Sequence, residues 1–401
     1  MTNPGLIIRI AAKGEGQTAD GRYAALAAPG DVLEEDGTLT PGPDRAAPSC
    51  RHFPACGGCQ LQHLSESALA AYVAGRVEGA ARGQGLDPGE VSPPHLSPAH
   101  TRRRATLHAQ AIGKRIVLGF REQGSHKIVD LKDCPVLAPE LAVLVAPLRR
   151  LLETRAARSL AADISLTLAD QGPTVDLAGI KMEGLAQTEA ILDFARDNGI
   201  ARLTLNQGDG PETVWEPEPV TVTLGGVAVG LPPGAFLQAT RDGEAALMDA
   251  ARAWLKGAPT VADLFSGLGT FAFGLAGPKT KVLAVEAARD AHMACQAAAR
   301  LHGKPVHCLH RDLFRNPLQE AELDRFAAVL LDPPRAGARE QVLLLAKSAV
   351  PKVVYISCNP ASWAKDAATL VEGGYRLAGL VPVGQFRWST HVELASLFIR
   401  D

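Results

Sequence analysis

Cys358 lies in the stretch YISCNPASW (355–363), directly after the apolar run Val353-Val354-Tyr355-Ile356. A thiol can serve as a small buried hydrophobe or, once ionised, as a nucleophile. Its neighbours bear on the choice. Proline at 360 removes a backbone N–H and stops strand pairing at the Asn359-Pro360 step. Cys358 is thus expected where a strand ends and a loop begins, the edge at which open α/β sheets bind ligands. Six more cysteines stand at 50, 56, 59, 134, 295 and 308. In a reducing cytosol they suit metal ligation or catalysis better than a disulfide framework. Cys50, Cys56, Cys59 and Cys134 could supply four thiolates to a cubane iron–sulfur cluster or to a tetrahedral zinc ion, and spacing alone leaves both open. Cys295 and Cys308 match no motif and are expected to pack.

Three carboxylates stand at the ends of apolar runs. In VADLFSGLGTF (261–271), Gly267 and Gly269 let the backbone turn tightly after a buried strand. About twenty residues on, KVLAVE ends in Glu286, placed to accept hydrogen bonds from ribose hydroxyls. Ala272 holds the third fingerprint position, which a dinucleotide site tolerates, so the turn alone admits NAD or S-adenosylmethionine. HRDLF puts Asp312 at the next strand end, where it could contact an adenine ring or simply cap a helix. AAVLLDPPRAG (327–337) ends a buried strand at Asp332, and the paired prolines hold it rigidly at the sheet edge. Loops of this kind hold a flat acceptor group against the cofactor methyl in many methyltransferases, which favours S-adenosylmethionine.

The elements that must carry these residues follow from patterning. Residues 1–45 read as short hairpin strands separated by glycine turns. PGPDRAAPS (41–49) reads as a linker, 65–85 as a helix capped by Ser65, and DPGEVSPPHLSP as a second linker. From 101 to 225 short β runs (ATLHAQAI, RIVLGFRE, HKIVDL, ISLTLA, ARLTLNQ) mix with helices over PELAVLVAPLRRLLETRAARSL and TEAILDFARDNG. From about 230 strands and helices alternate, the mark of a doubly wound parallel sheet. The expected fold class is α/β: a β unit over 1–45, an α+β domain over 46–225 and a Rossmann-like domain over 226–401, with helix 65–85 free to pack on the last.

The totals narrow the class. With 401 residues, 46% hydrophobic and 21% charged, the chain can bury a large core in two or three domains. No run of eighteen apolar residues predicts a membrane span, and MTNPGLIIRIAAKGEG lacks a signal-peptide pattern, so a cytoplasmic location is expected. Forty-one basic against 43 acidic residues leave a net charge of −2. Nucleic acid would therefore have to be held by local patches such as Arg102-Arg103-Arg104 and Lys114-Arg115, although an arginine triplet is often only a solvated face.

DLFSGLGTF, LDPPRAG, YISCNP and the late HVELASLF resemble the uracil-5-methyltransferases of tRNA and 23S ribosomal RNA. So do CRHFPACGGCQLQH, GFREQGSHKIVDLKDCPVL and GAFLQAT, and the order holds along almost the whole chain. The resemblance implies a class I S-adenosylmethionine methyltransferase domain with Cys358 as nucleophile and Glu393 as the base for the carbon-5 proton. It implies Gln238, Phe265, Thr270, Glu286, Asp312 and Asp332 around cofactor and base. It further implies a 4Fe-4S cluster on Cys50, Cys56, Cys59 and Cys134. The substrate would be RNA, with 23S rRNA favoured by the cysteine cluster and tRNA the alternative; a monomer is expected. The uridine must be unstacked to be attacked, so it should lie in a loop or bulge.

Two departures stand out. EGQTADGRYAALAAPGD resembles the start of a small RNA-binding β-barrel, yet the chain reaches Pro41 and the cysteines too early for the full barrel. GAFLQAT has Thr240 where asparagine commonly follows. Three rival readings remain: an RNA cytosine-5 methyltransferase, whose proline loop would carry a cysteine absent from LDPPRAG; an inactive iron–sulfur RNA-binding protein; and an amino-methyltransferase, which would not need Cys358.

Overall fold

The computed structural model describes residues 3–113, 115–154, 160–181 and 184–400. Lys114 of the proposed basic patch and residues 155–159 of the long central helix reading lie outside them. Near the start, strands Ile7–Ile10, Gly16–Thr18 and Tyr23–Ala24 form an antiparallel sheet. A hairpin, Val32–Leu33 with Leu39–Thr40, joins it through a bridge from Leu6 to Val32. Its core is small: Ile7, Ala24 and Ala27, with Leu33 and Leu39 against them.

The middle of the chain forms a six-stranded sheet. Its order is Pro211–Trp215, Arg202–Asn206, Pro173–Ala178, Ala161–Leu168, Arg104–Ile112, Arg115–Gly119. Helices Val145–Glu153 and Leu185–Asp197 bury their apolar stripes in its core. The continuous helix expected from PELAVLV onward is two pieces, Pro139–Ala142 and Val145–Glu153. HKIVDL is not a ladder strand: within it only Ile128 bridges, to Arg121, while Val129 and Leu131 donate singly to Phe120 and Leu118 carbonyls.

The largest sheet has eight strands. Five run parallel in the order Val306–His310, Lys281–Glu286, Thr260–Leu264, Ala328–Leu331, Lys352–Ser357. The central three, Thr260–Leu264, Ala328–Leu331 and Lys352–Ser357, are buried on both faces, which explains their near-continuous apolar content. Next comes Glu393–Ile399, antiparallel to both neighbours, then Arg376–Gly384. The eighth strand, His95–Leu96, comes from the segment read as a Pro-rich linker. Two residues are too few to show a period, so only pairing with Val383 and Gly384 reveals it.

Helix Glu66–Gly83 is capped as expected, with Ser65 Oγ accepting from Ala68 N at 3.2 Å. Its Leu69, Tyr72, Val73 and Val77 pack into the core of the large sheet beside helix Pro360–Glu372. The hairpin Thr221–Leu224 with Val227–Gly230 packs on the opposite face of that sheet, through Val222, Leu224, Val227 and Val229. Among the described residues no helix is long and apolar enough to cross a membrane.

Candidate active site and cysteine pocket

The five parallel strands end at one edge, where the following loops enclose a cleft of about 720 Å³. Gln238, Phe265, Thr270, Glu286, Asp312, Asp332, Cys358 and Glu393 all line it. The chain leaves strand Thr260–Leu264 through Phe265 at φ 65°, and Gly269 has φ 89°. A side chain at Gly269 would be strained, and its Cβ would lie 2.7 Å from Cys295 Sγ and 2.8 Å from the Phe273 ring. Glycine is required here by conformation and by close approach alike. Glu286 braces the turn: its carboxylate accepts from Gly267 N at 2.8 Å and Ala288 N at 2.6 Å. Asp312 caps no helix; it closes a turn by accepting from Phe314 N at 2.9 Å. Phe314 stands over Phe265, ring centroids 5.3 Å apart, and adds an exposed aromatic wall that the sequence reading missed.

Cys358 and Glu393 meet because of strand direction. Strand Lys352–Ser357 runs toward the cleft, and Glu393–Ile399 starts there and runs back, with Ser357 opposite Leu394. Glu393 is 3% exposed. Burial pushes its carboxyl up to about 7, against Gln385 and Arg104, which favour the ionised form. Asp332 is held well above the carboxylate range by burial and by Glu393 and Asp263 nearby. Burial raises the Cys358 thiol to about 11; the Glu393 and Asp332 carboxylates push the same way, and Arg335 opposes them. The cleft thus holds a thiol beside a carboxyl poised to exchange protons near neutrality.

Side chains unforeseen in the sequence fix this arrangement. Gln385 is 1% exposed; it donates through Nε2 to Gln238 Oε1 at 2.7 Å and hydrogen-bonds Glu393. Gln238 in turn donates through Nε2 to Asp332 Oδ2 at 3.3 Å. A lone glutamine after a strand carries no sequence signal, so only the fold exposes this chain of amides. Thr240 N-caps helix Arg241–Leu255, its Oγ1 accepting from Gly243 N at 3.0 Å. Asparagine would cap equally well, which accounts for that departure.

The arginine triplet is not a solvated patch. Arg103 is 3% exposed, donates through Nε to Gln238 O at 2.9 Å and pairs with Glu244 at 2.5 Å. Arg104 lies over the exposed Phe236 ring at 4.3 Å; burial and the neighbouring Arg102 lower its guanidinium below the usual range, while Glu393 and Cys358 oppose that shift. Arg102 turns the other way and lines a second pocket. Three consecutive arginines serve three sites because the segment into strand Arg104–Ile112 crosses between the two pockets. Asp263, in strand Thr260–Leu264, is fully buried, and burial raises its carboxyl to about 8.

The second pocket is lined by Cys50, Cys56, Cys59 and Cys134, by Phe53, Phe120, Leu131, Val136 and Leu137, and by Arg102. Burial raises Cys56 and Cys134 and lifts Cys59 to about 12, with neighbouring thiols adding to each shift. Among the described residues, no three His, Cys, Asp or Glu side chains are grouped as a single metal ion requires. Cys295 and Cys308 are buried under the glycine turn with sulfurs 3.5 Å apart, in keeping with a packing role.

Known proteins resemble this chain in sequence and fold. Residues 306–401 match the family described as tRNA (uracil-5-)-methyltransferase. An RNA methyltransferase of Zymomonas mobilis is 47% identical over 98% of this chain and 99% of its own length. The 23S rRNA (uracil(1939)-C(5))-methyltransferase of Edwardsiella ictaluri is 35% identical over 90% of this chain and 83% of its own. The crystal structure of the Pyrococcus abyssi tRNA (uracil-54, C5)-methyltransferase, in complex with S-adenosyl-L-homocysteine, superposes with a TM-score of 0.77 and 22% identity. It covers 100% of both chains.

Proposed function

Since the chain belongs to the S-adenosylmethionine-dependent RNA (uracil-5-)-methyltransferases, we propose that it methylates a uridine of 23S rRNA through a covalent adduct on Cys358. The observation that carries this reading is the convergence of Cys358, Glu393 and Asp332 on the cleft that also holds the Gly267–Thr270 turn. The ribosomal substrate rests on the 35% identity to the Edwardsiella enzyme and on the cysteine pocket.

Carbon 5 of uracil is a weak nucleophile. Cys358, as thiolate, adds to carbon 6 and turns the ring into an enolate whose carbon 5 attacks an electrophile. When bound, S-adenosylmethionine supplies that electrophile as a sulfonium methyl. Phe265, Thr270, Glu286 and Asp312 surround the cofactor side of the cleft, and Gln238 and Asp332 hold the base. Glu393 then takes the proton from carbon 5, and the electrons released expel the Cys358 thiolate and restore the ring. A base near 7 suits this step, because it is partly ionised at working pH and still basic enough. Cys358 is neutral at pH 7 in the free enzyme, so its proton must leave on substrate binding; Arg335 favours that loss. The cytosine-5 alternative is weaker, since the loop after strand Ala328–Leu331 presents Asp332, Pro333, Pro334 and Arg335 and no thiol.

Cys50, Cys56, Cys59 and Cys134 fit a 4Fe-4S cluster. Four thiols, those of Cys56 and Cys59 buried and those of Cys50 and Cys134 half-buried, line one largely apolar pocket with a single cation, Arg102, which suits a bulky anionic group. Such a cluster would tie residues 50–59 to Cys134 and brace the segment carrying Arg102, Arg103 and Arg104; methyl transfer moves no electrons.

The decisive experiment uses RNA containing 5-fluorouridine. Fluorine cannot leave as a proton, so the wild type should form a covalent complex stable on a denaturing gel. If no complex forms with RNA that the enzyme methylates, the covalent mechanism is wrong.

A further inference from the structure

On the far side of the Cys358 loop lies a trough of about 980 Å³, walled by strand Ile7–Ile10, helix Glu66–Gly83 and the first turns of helix Pro360–Glu372. Arg9, Arg76, Arg82 and Lys365 face it, against one carboxylate, Asp44. Arg82 is neutralised by Glu78 at 3.0 Å. Among the described residues Arg9, Arg76 and Lys365 have no ion-pair partner; Arg9 donates to the neutral Gln17 at 2.7 Å, and Arg76 Nε is buried without any partner. Tyr23 and Ile8 stand at the rim, 56% and 54% exposed. Concentrated, uncompensated positive charge in a chain of net charge −2 calls for a polyanion. A charged trough with an exposed aromatic at its lip is the usual construction for a single strand of nucleic acid: phosphates on the cations, a base on the ring.

Position ties the trough to the chemistry. Ala361 and Lys365 lie in it, and Ala361 is three residues after Cys358. Three residues of chain span at most about 10 Å, so a strand leaving the cleft reaches the trough within its next few nucleotides. We propose that this trough binds the RNA strand flanking the target uridine, so that the N-terminal β unit and helix Glu66–Gly83 grip RNA jointly. This rests on the substrate being RNA; it does not depend on which RNA.

The test is fluorescence anisotropy on the full-length protein with a labelled, uridine-rich 20-nucleotide single-stranded RNA across a salt series. The triple variant Arg9→Gln, Arg76→Gln, Lys365→Gln should bind on the order of tenfold more weakly at 0.15 M salt. Its salt slope should fall by about 2, three lost phosphate contacts at roughly 0.7 each. A second variant, Gly79→Leu, fills the trough from the helix, where an added Cβ meets no atom within 4 Å. It should weaken binding likewise while S-adenosylmethionine binding by calorimetry stays unchanged in both variants. Wild-type affinity and slope in the triple variant would overturn the proposal. So would a change in sedimentation, on Gly79→Leu, with RNA affinity intact, because the trough would then be a contact between protein chains. A wild type that grips RNA here but methylates no uridine would keep the trough and remove the proposed function.

Discussion

Replacing Glu393 by Gln separates the two halves of the reaction and leaves a thermodynamic signature. Glu393 is buried, and its carboxyl stands at about 7 against an ordinary 4.5. At 1.36 kcal/mol per pH unit the gap corresponds to about 3 kcal/mol. The folded value lies above the unfolded one, so the unfolded chain releases this proton first as pH rises. Below 4.5 the group is neutral in both states and costs nothing. Between 4.5 and 7 the stability it allows is progressively lost, and above 7 the loss is complete. Glutamine keeps the shape and stays neutral throughout. The variant should therefore match wild type in denaturant unfolding at pH 4 and gain up to about 3 kcal/mol at pH 8. In activity the sign reverses. Cys358 can still add and the methyl can still move, but no base removes the carbon-5 proton. With ordinary RNA and labelled cofactor, a methylated protein–RNA band should accumulate on a denaturing gel. Normal turnover without that band would refute the assignment of the base, and a variant less stable than wild type at pH 8 would refute the electrostatic reasoning.

Cys358→Ala should abolish methyl transfer and leave cofactor affinity within about twofold by calorimetry, because the thiol touches only the base. Wild-type turnover of limiting RNA should rise with pH through about 7 as Glu393 ionises, and a flat profile from 6 to 8 would count against that role. Protein purified without oxygen should carry about four irons and matching sulfide per chain; stoichiometric zinc without sulfide would remove the cluster, and Cys134→Ser should lose the iron. Arg103→Gln should cost about 3 kcal/mol in urea unfolding, since it strands Glu244 at 14% side-chain exposure and frees the Gln238 carbonyl; a loss under 1 kcal/mol would return the triplet to the surface.

The large sheet was legible because its central parallel strands are buried on both faces and read as apolar runs between helices. The cleft was legible because the residues proposed for its chemistry sit at strand ends marked by Gly267, Gly269 and Pro333. What escaped were residues whose role comes from distant partners. His95–Leu96 becomes a strand only against Val383–Gly384. Gln385 matters only because Gln238 and Glu393 converge on it. Arg102, Arg103 and Arg104 looked like one surface feature because linear adjacency hides that successive side chains of an extended segment point apart. HKIVDL has the composition of a strand, yet after Arg121 its backbone makes single bonds rather than a ladder.

The reversed strand has a consequence for the order in which the enzyme comes alive. Glu393–Ile399 is inserted between Lys352–Ser357 and Arg376–Gly384, which do not pair with each other. A ribosome making this chain delivers the thiol first and the carboxylate some thirty-five residues later, within the one segment that can bridge the waiting gap. Until that segment docks, the sheet is open and the cleft lacks a wall; once it docks, the register that closes the ladder also sets Glu393 beside Cys358. A thiol able to seize RNA without the means to let go would be a trap, and this topology withholds a finished cleft from any nascent chain in that condition.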